Sequence, residues 1–199
     1  MSRLTRFTGL LVGGLFVAAP LAGQDRAIAF QAMAGGYYHT RNLNPVPNSD
    51  PTVAHWAGGF NLGVGVGVFF NKYVGFHGDF MVGNNQMLGA TNLSGSWFNK
   101  YYYGGHVEFQ YPVSPDFAPY VFVGAGGVTV HQDTGRQTVP TFTRMAEMFG
   151  GGLTYKIPKT KVEIFGEGKG LTYQFVGAGF DRRQLDFTIS MGVGYRLGF

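Results

Sequence analysis

The sequence predicts an all-β fold: an eight-stranded antiparallel up-and-down transmembrane β-barrel whose outer wall faces lipid. The first observation is the final segment, 187–199, where apolar residues occupy every second position and small or polar residues lie between them. The second is composition: 13% of the residues are charged and 33 are glycine, whereas most soluble domains carry about 25% charge. The third is that no helical pattern could supply a layer to cover the apolar face, so lipid is its expected partner.

Residues 1–23 are predicted to be a signal peptide, which leaves the barrel domain at 24–199. A positive start at Arg3 and Arg6 precedes an apolar run and a small-residue exit. The apolar run is about half of the ~20 residues that a membrane-spanning helix needs. Cleavage after Ala29 stays open as an alternative.

Charge and cysteine content exclude several classes of function. The chain has no cysteine, which excludes disulfides and thiolate metal sites. The formal net charge is +4, and removing Arg3 and Arg6 with the leader lowers it by two. No basic cluster then remains to follow a phosphate backbone, so we expect no nucleic-acid partner.

Eight segments show strand chemistry, and their connections alternate between long and short. The predicted strands are 28–38, 56–70, 73–83, 99–111, 117–130, 143–156, 162–174 and 184–199. Tight links are expected at 71–72, 112–116 and 157–161, and longer polar links at 39–55, 84–98, 131–142 and 175–181. Outer-membrane barrels show this alternation, with short turns at one end and long loops at the other.

Strand parity predicts which side chains face lipid. The apolar positions of strands two, three, four and seven are Phe60, Leu62, Val64, Val66, Val68, Val74, Phe76, Phe80, Val82, Tyr101, Tyr103, Val107, Phe109, Tyr111, Val162 and Ile164. Strand five is ambiguous, because 120–123 is apolar on both faces. In strand six, Glu147 shares its parity with Phe149 and is therefore expected at the outer rim.

The opposite parity collects the ionisable side chains in the lumen. A lysine or arginine on the lipid face at mid-depth costs about 2–4 kcal/mol, which decides the placement. We expect Arg196 to pair with Glu163, and eight strands leave an interior that side chains fill, which disfavours an open pore. The predicted lumen network is His77, Asp79, His106, Glu108, Glu163, Glu167, Lys169 and Arg196.

Aromatic residues cluster near the predicted strand ends and suggest two interfacial girdles. Trp56, Trp97 and Tyr101 to Tyr103 are predicted near the outer rim, where parity turns Tyr102 inward and leaves the others in the outer girdle. The inner girdle is predicted to contain Phe69, Phe70, Tyr73, Tyr111, Phe117, Tyr155 and Phe199.

Two neighbouring strands carry a repeated His-x-acid pattern, His77-x-Asp79 and His106-x-Glu108. Imidazole and carboxylate together can bind a divalent metal. Polar groups in a closed lumen must also satisfy one another, and we adopt a structural network as the interpretation, with no metal and no cofactor. The glycine runs lie within strand patterns and lack the following helix that a nucleotide site requires.

The last six residues, Gly194-Tyr195-Arg196-Leu197-Gly198-Phe199, together with the leader and the eight strands, resemble the small OmpA- and OmpX-type outer-membrane barrels. The resemblance implies insertion into the cell outer membrane by the barrel-assembly machinery, with lipid and lipopolysaccharide as surroundings. Gly194, Leu197 and Phe199 would be the assembly signal. Gly192 departs from the pattern, because a polar residue is usual there.

We expect a non-enzymatic barrel with a structural or surface-interaction role through its outer loops, whose extracellular ligand stays unknown. The turn-rich segment 42–51 is the foremost candidate loop. A small-solute channel is the alternative, and a lipid A-modifying enzyme is a third. No catalytic residue is assigned, since no His-x-Ser occurs and Ser190 is expected in the lumen.

Overall fold

A computed structural model describes residues 26–39, 55–89, 93–135, 138–177 and 180–198, in which all regular structure is β-strand. The predicted signal peptide and Phe199 lie outside these described residues. The strands are β1 (Ala27–His39), β2 (His55–Trp56), β3 (Gly59–Phe69), β4 (Val74–Leu88), β5 (Trp97–Gln110), β6 (Phe117–Thr134), β7 (Phe142–Lys156), β8 (Val162–Gly177) and β9 (Phe180–Gly198).

Eight of the strands form a closed antiparallel barrel, which confirms the predicted fold. The sheet runs β4-β3-β1-β9-β8-β7-β6-β5, and the pairing of β4 with β5 closes the ring. The first and last strands pair from Ala27↔Gly198 to His39↔Asp186. Closure leaves no exposed strand edge in the ring, so backbone groups within it are satisfied by neighbouring strands. The short β2 pairs only with the end of β4.

The connections alternate in length with one exception. Tight turns at 70–73, 111–116 and 157–161 lie at one end, here called the lower end. At the opposite, upper end the connections after β1, β4 and β6 are longer, but only residues 178–179 separate β8 from β9, so the longer link predicted at 175–181 is wrong. In the first tight turn the Asn71 side-chain oxygen accepts hydrogen bonds from the backbone amides of Tyr73 (2.8 Å) and Val74 (2.9 Å). Lys159 adopts a positive φ of 64° in the third turn.

The outer wall carries a continuous apolar belt. Along β3, Phe60, Leu62 and Val64 are 56%, 55% and 55% exposed, while the intervening Asn61 is 1% exposed. The ambiguity of β6 is resolved in the same way, because Val121 and Val123 face outward. Ordinary soluble proteins rarely expose an apolar surface of this extent, so the belt is a lipid-facing surface. Among the described residues, no helix has the length and apolar character to cross a membrane.

Several strands are longer at the upper end than predicted. β4 extends to Leu88 and β6 to Thr134, and β9 already begins at Phe180. Above the belt the strands pair through polar side chains, as where Asn84 donates to Asn99 at 2.6 Å. Because the outward-facing side chains there are polar, such as Asn84, Gln86 and Arg183, the lipid-facing apolar alternation is lost and the predicted strands are too short.

Trp56 is the clearest correction to the sequence analysis. It was predicted in the outer girdle, yet its side chain is 6% exposed and lies inside the barrel. The predicted second strand is interrupted after Trp56, and β2 and β3 pair with β4 in different registers: Trp56 opposes Met87, whereas Phe60 opposes Asn84. The two registers differ by one residue, and a slip of one residue turns a side chain to the other face.

Phe69 is the second correction. It was predicted in the inner girdle, but its ring is 1% exposed. Phe69 continues the inward parity of Gly67 in β3, and the guanidinium of Arg196 lies 3.9 Å from its ring centroid. An inward aromatic at the strand end therefore caps the lumen instead of contacting lipid.

Candidate functional site: the polar lumen of the barrel

The lumen contains all eight ionisable residues that parity assigns to it. Seven of the side chains are buried, and Arg196 is half-buried. Glycines on neighbouring strands provide the room for them. A Cβ atom at Gly67 would lie 2.4 Å from the His77 ring, and one at Gly194 would lie 2.7 Å from Cγ of Glu163.

Asp79, Glu108, Glu167, Lys169, His77 and His106 form what we call the lower layer. Its central contact is Lys169, whose Nζ lies 2.8 Å from Oδ2 of Asp79 and 3.2 Å from Oε1 of Glu167. Asp79 lies on β4 and Lys169 on β8, and three strands separate them in either direction around the ring. The ion pair therefore crosses the full width of the lumen. Tyr120 from β6 adds a hydrogen bond to Glu167 at 3.2 Å.

The two histidines of the lower layer lie directly opposite each other on β4 and β5. Their rings are stacked, with centroids 5.0 Å apart and an interplanar angle of 8°. Oε2 of Glu108 lies 3.5 Å from Nε2 of His77 and 4.0 Å from Nε2 of His106. The predicted His-x-acid pairs thus converge on one another.

Glu163 and Arg196 lie below this layer, and the ion pair expected between them is present. Nε of Arg196 lies 3.0 Å from Oε2 of Glu163. The same guanidinium stacks on Phe69, so the lower mouth of the lumen is covered by one ion pair and one aromatic ring.

A second polar group, which the sequence analysis did not single out, lies nearer the upper end. We call His39, Lys100, Asp186, Tyr37, Tyr173 and Trp56 the upper layer. Asp186 is completely buried and accepts hydrogen bonds from the hydroxyls of Tyr37 (2.8 Å) and Tyr173 (2.9 Å). Its other oxygen contacts His39.

Lys100 links the upper layer across the barrel. Its Nζ lies 3.3 Å from Oδ2 of Asp186 and 4.0 Å from the Trp56 ring centroid. Lys100 is on β5 and Asp186 on β9, which are again separated by three strands on either side. Strand parity already indicates that both residues face the lumen, because Lys100 shares the inward parity of Tyr102 and Asp186 shares that of Ser190.

The remaining predicted residues occupy the outer wall or the final strand. Trp97, Tyr103, Tyr111 and Tyr155 are exposed, and Tyr101 is half-buried. Gly194 is buried, and the half-buried Leu197 pairs with Ile28 of β1. Glu147 faces outward near the upper end, where it forms an exposed ion pair with Arg183.

Ser190 and Ser96 both form hydrogen bonds with amide side chains of the barrel. Ser190 donates to Asn61 at 3.0 Å, and Ser96 accepts from Gln132 at 3.2 Å. These contacts tie neighbouring parts of the barrel together, and neither serine has the base that nucleophilic catalysis requires.

Comparison with known proteins places this geometry among solved membrane barrels. No family model and no curated protein sequence matches the chain. Neisserial surface protein A is similar in structure, with a TM-score of 0.64 and 16% identity over 85% of this chain and 97% of that one.

Two further solved structures are similar over most of the chain. Ail of Yersinia pestis, in complex with the heparin analogue sucrose octasulfate, has a TM-score of 0.51 and 18% identity over 87% of this chain and 99% of its own. OprG of Pseudomonas aeruginosa has a TM-score of 0.51 and 12% identity over 87% and 96% of the two chains. The chain therefore has the fold of the small eight-stranded outer-membrane β-barrels, the OmpA/OmpX-type architecture that its sequence resembles.

Proposed function

We propose that the protein is a non-conducting barrel of the cell outer membrane that acts without catalysis, as a structural or surface-interaction protein, through its upper connections. The observation that carries the proposal is the pair of ionic contacts across the lumen, Asp79–Lys169 at 2.8 Å and Lys100–Asp186 at 3.3 Å. A solute would have to separate both pairs and pass the Arg196–Phe69 cover. The surfaces left for recognition are then the ends of the barrel.

Charge at the upper end gives the recognition surface a mixed character. In the described part of that end, exposed Arg144 and Arg182 are accompanied by exposed Asp133 and Asp181. Arg183 is already paired with Glu147. Ail is solved with a heparin analogue, but the balance of charge here supports a ligand bound through hydrogen bonds and shape more than a polyanion.

The surroundings implied by this proposal are lipid and lipopolysaccharide, reached after export by a cleaved leader and insertion by the barrel-assembly machinery. The apolar belt supports the membrane setting, since it would otherwise be exposed to water. Gly194, Leu197 and Phe199 remain our candidates for the assembly signal.

Two measurements test the proposal. Planar-bilayer recordings of the purified barrel should show no stable conductance steps, and regular ion-conducting openings would support the channel alternative instead. Proteoliposomes carrying the protein should retain specific components of an envelope or host-surface fraction, and replacing 42–51 by a short Gly-Ser linker should abolish that retention. Lys72→Gln, in a lower turn, is the matched control. Identical retention by the trimmed barrel would contradict a loop-based role.

Lipid A from cells with and without the protein tests the enzymatic alternative. The proposal predicts identical lipid A mass spectra in both strains. A change in acylation that depends on the protein would overturn it.

A further inference from the structure

Three of the metal-binding side chains in the lower layer converge on a common point. His77, His106 and Glu108 are all buried and each offers one donor atom, with all three atoms within 4.8 Å of one another. In a tetrahedral zinc site with ligands about 2.1 Å from the metal, donor atoms are about 3.4 Å apart. The Glu108 oxygen already lies 3.5 and 4.0 Å from the two imidazole nitrogens. The two imidazole rings would also have to rotate out of their parallel stack, because the nitrogen lone pairs lie in the ring planes and must both point at the ion.

Most of the imidazole nitrogens lack the hydrogen bonds that a purely structural network would give them. Nδ1 of His106 lies 3.2 Å from Oδ2 of Asp79, whereas both nitrogens of His77 and Nε2 of His106 have no hydrogen-bond partner in the described part of the barrel. Buried polar atoms are normally satisfied, so the two Nε2 atoms that face Glu108 point to a missing partner.

The charge of the lower layer also calls for a cation. It contains three carboxylates, Asp79, Glu108 and Glu167, against the single ammonium of Lys169. With neutral imidazoles and all three carboxylates ionised, two negative charges would be uncompensated, and the Glu163–Arg196 pair below is balanced in itself. One divalent ion restores neutrality.

Neighbouring side chains hold the three donor side chains in position, as the residues that hydrogen-bond to metal ligands do in known metal sites. Gln110 donates to Oε1 of Glu108 at 2.7 Å, which leaves Oε2 directed at the histidines. Asp79 lies beside the other nitrogen of His106, the position of the carboxylate that commonly supports a histidine ligand.

We propose that His77, His106 and Glu108 form a lumenal binding site for one divalent transition-metal ion of the zinc type. Two imidazoles and one carboxylate are a known zinc donor set that leaves a fourth position for water. The ion would join β4 and β5 at the level where Asp79 and Lys169 join β4 and β8. The site is independent of any ligand of the upper connections.

Cobalt titration of the untagged barrel in detergent tests this proposal. Co²⁺ should bind one per chain, produce visible absorption bands of a tetrahedral or five-coordinate site, and be displaced by Zn²⁺. Glu108→Gln should weaken binding at least tenfold, and Gln110→Leu, which removes an orienting contact, by about tenfold to a hundredfold. His131→Gln is the matched control, since that histidine lies at the exposed upper end and contacts Thr141.

Folding of each variant is checked by heat-modifiable migration on gels, so that loss of the site is separated from loss of the barrel. A second readout needs no variant: Zn²⁺ should raise the unfolding midpoint of the wild-type barrel, because a ligand that binds only the folded state stabilises it. Absence of stoichiometric binding by the folded protein, or equal binding by Glu108→Gln and His131→Gln, would overturn the proposal.

Discussion

The ion pair across the lower layer gives the most direct stability prediction. Lys169→Met removes the ammonium that lies 2.8 Å from Asp79 and 3.2 Å from Glu167, where the side chains of Lys169 and Asp79 are each 1% exposed. Removing one partner of a buried pair typically costs about 3–5 kcal/mol, because a charge is left buried without compensation. Two carboxylates are left here, so we expect the upper part of that range.

The assay is reversible urea unfolding in lipid vesicles, followed by tryptophan fluorescence. With a denaturant slope of about 2 kcal/mol per molar, a loss of 4 kcal/mol lowers the midpoint by about 2 M. The matched control is Arg183→Met, which breaks the Glu147 pair on the outer wall, where the side chains are 57% and 62% exposed. Exposed pairs contribute about 0–1 kcal/mol, so its midpoint should barely change.

The double variant Lys169→Met with Asp79→Asn completes the test. In the double variant Asp79 no longer carries a buried negative charge without a partner. The double variant should therefore be more stable than Lys169→Met alone. Equal losses for Lys169→Met and Arg183→Met would refute the argument that the lower-layer pair is enclosed.

Three further predictions follow from the arrangement of the wall. Val66→Arg, on the lipid face of β3, should destabilise the barrel in vesicles by about 2–4 kcal/mol in the same urea assay, and an unchanged midpoint would contradict lipid contact there. Gly67→Val should cost about 1–3 kcal/mol through overpacking, since its Cβ would lie 2.4 Å from the His77 ring. Brominated lipids should quench the fluorescence of Trp97 in a Trp56→Phe variant but not that of Trp56 in a Trp97→Phe variant. Equal quenching of the two would show that Trp56 contacts lipid.

The sequence allows the barrel and the facing of most side chains to be predicted, because the membrane imposes a simple rule. Lipid requires apolar side chains at every second position, and the cost of a charge on that face sends ionisable residues inward. The expected contact between Glu163 and Arg196 follows from the same parity, since Glu163 directly opposes Gly194 on the adjacent strand and Arg196 lies two residues further along on the same face.

The errors lie where this rule does not apply. Trp56 follows the parity of its apolar neighbours in the sequence, but the one-residue change of register between β2 and β3 cannot be seen in composition. Above the belt the outward face is polar, so it lacks the apolar alternation that marks a lipid-facing strand, and the predicted strands are too short there. The upper layer lies in the same region, and its central contact joins Lys100 and Asp186, which are 86 residues apart in the chain and meet only through closure of the ring.

Contacts across the lumen could not be predicted from strand parity. Parity assigns Asp79 and Lys169 to the interior but does not say that β4 and β8 lie opposite each other. That relation depends on the closure of eight strands into a ring, and the depth of each residue depends on the stagger between strands. The stacking of His77 on His106 is likewise a consequence of register.

Site-directed spin labelling along β9 tests the central claim most directly, and the absence of native cysteine makes single labels straightforward. Labels placed in lipid vesicles at Ile189, Met191 and Val193 should collide readily with oxygen, which concentrates in hydrocarbon, and poorly with a water-soluble nickel chelate. Labels at Thr188 and Ser190 should be immobile and shielded from both reagents. Two results would contradict a lipid-facing apolar wall around an enclosed polar lumen. One is equal access of the nickel chelate to all five positions, and the other is oxygen access that is greatest at Thr188 and Ser190.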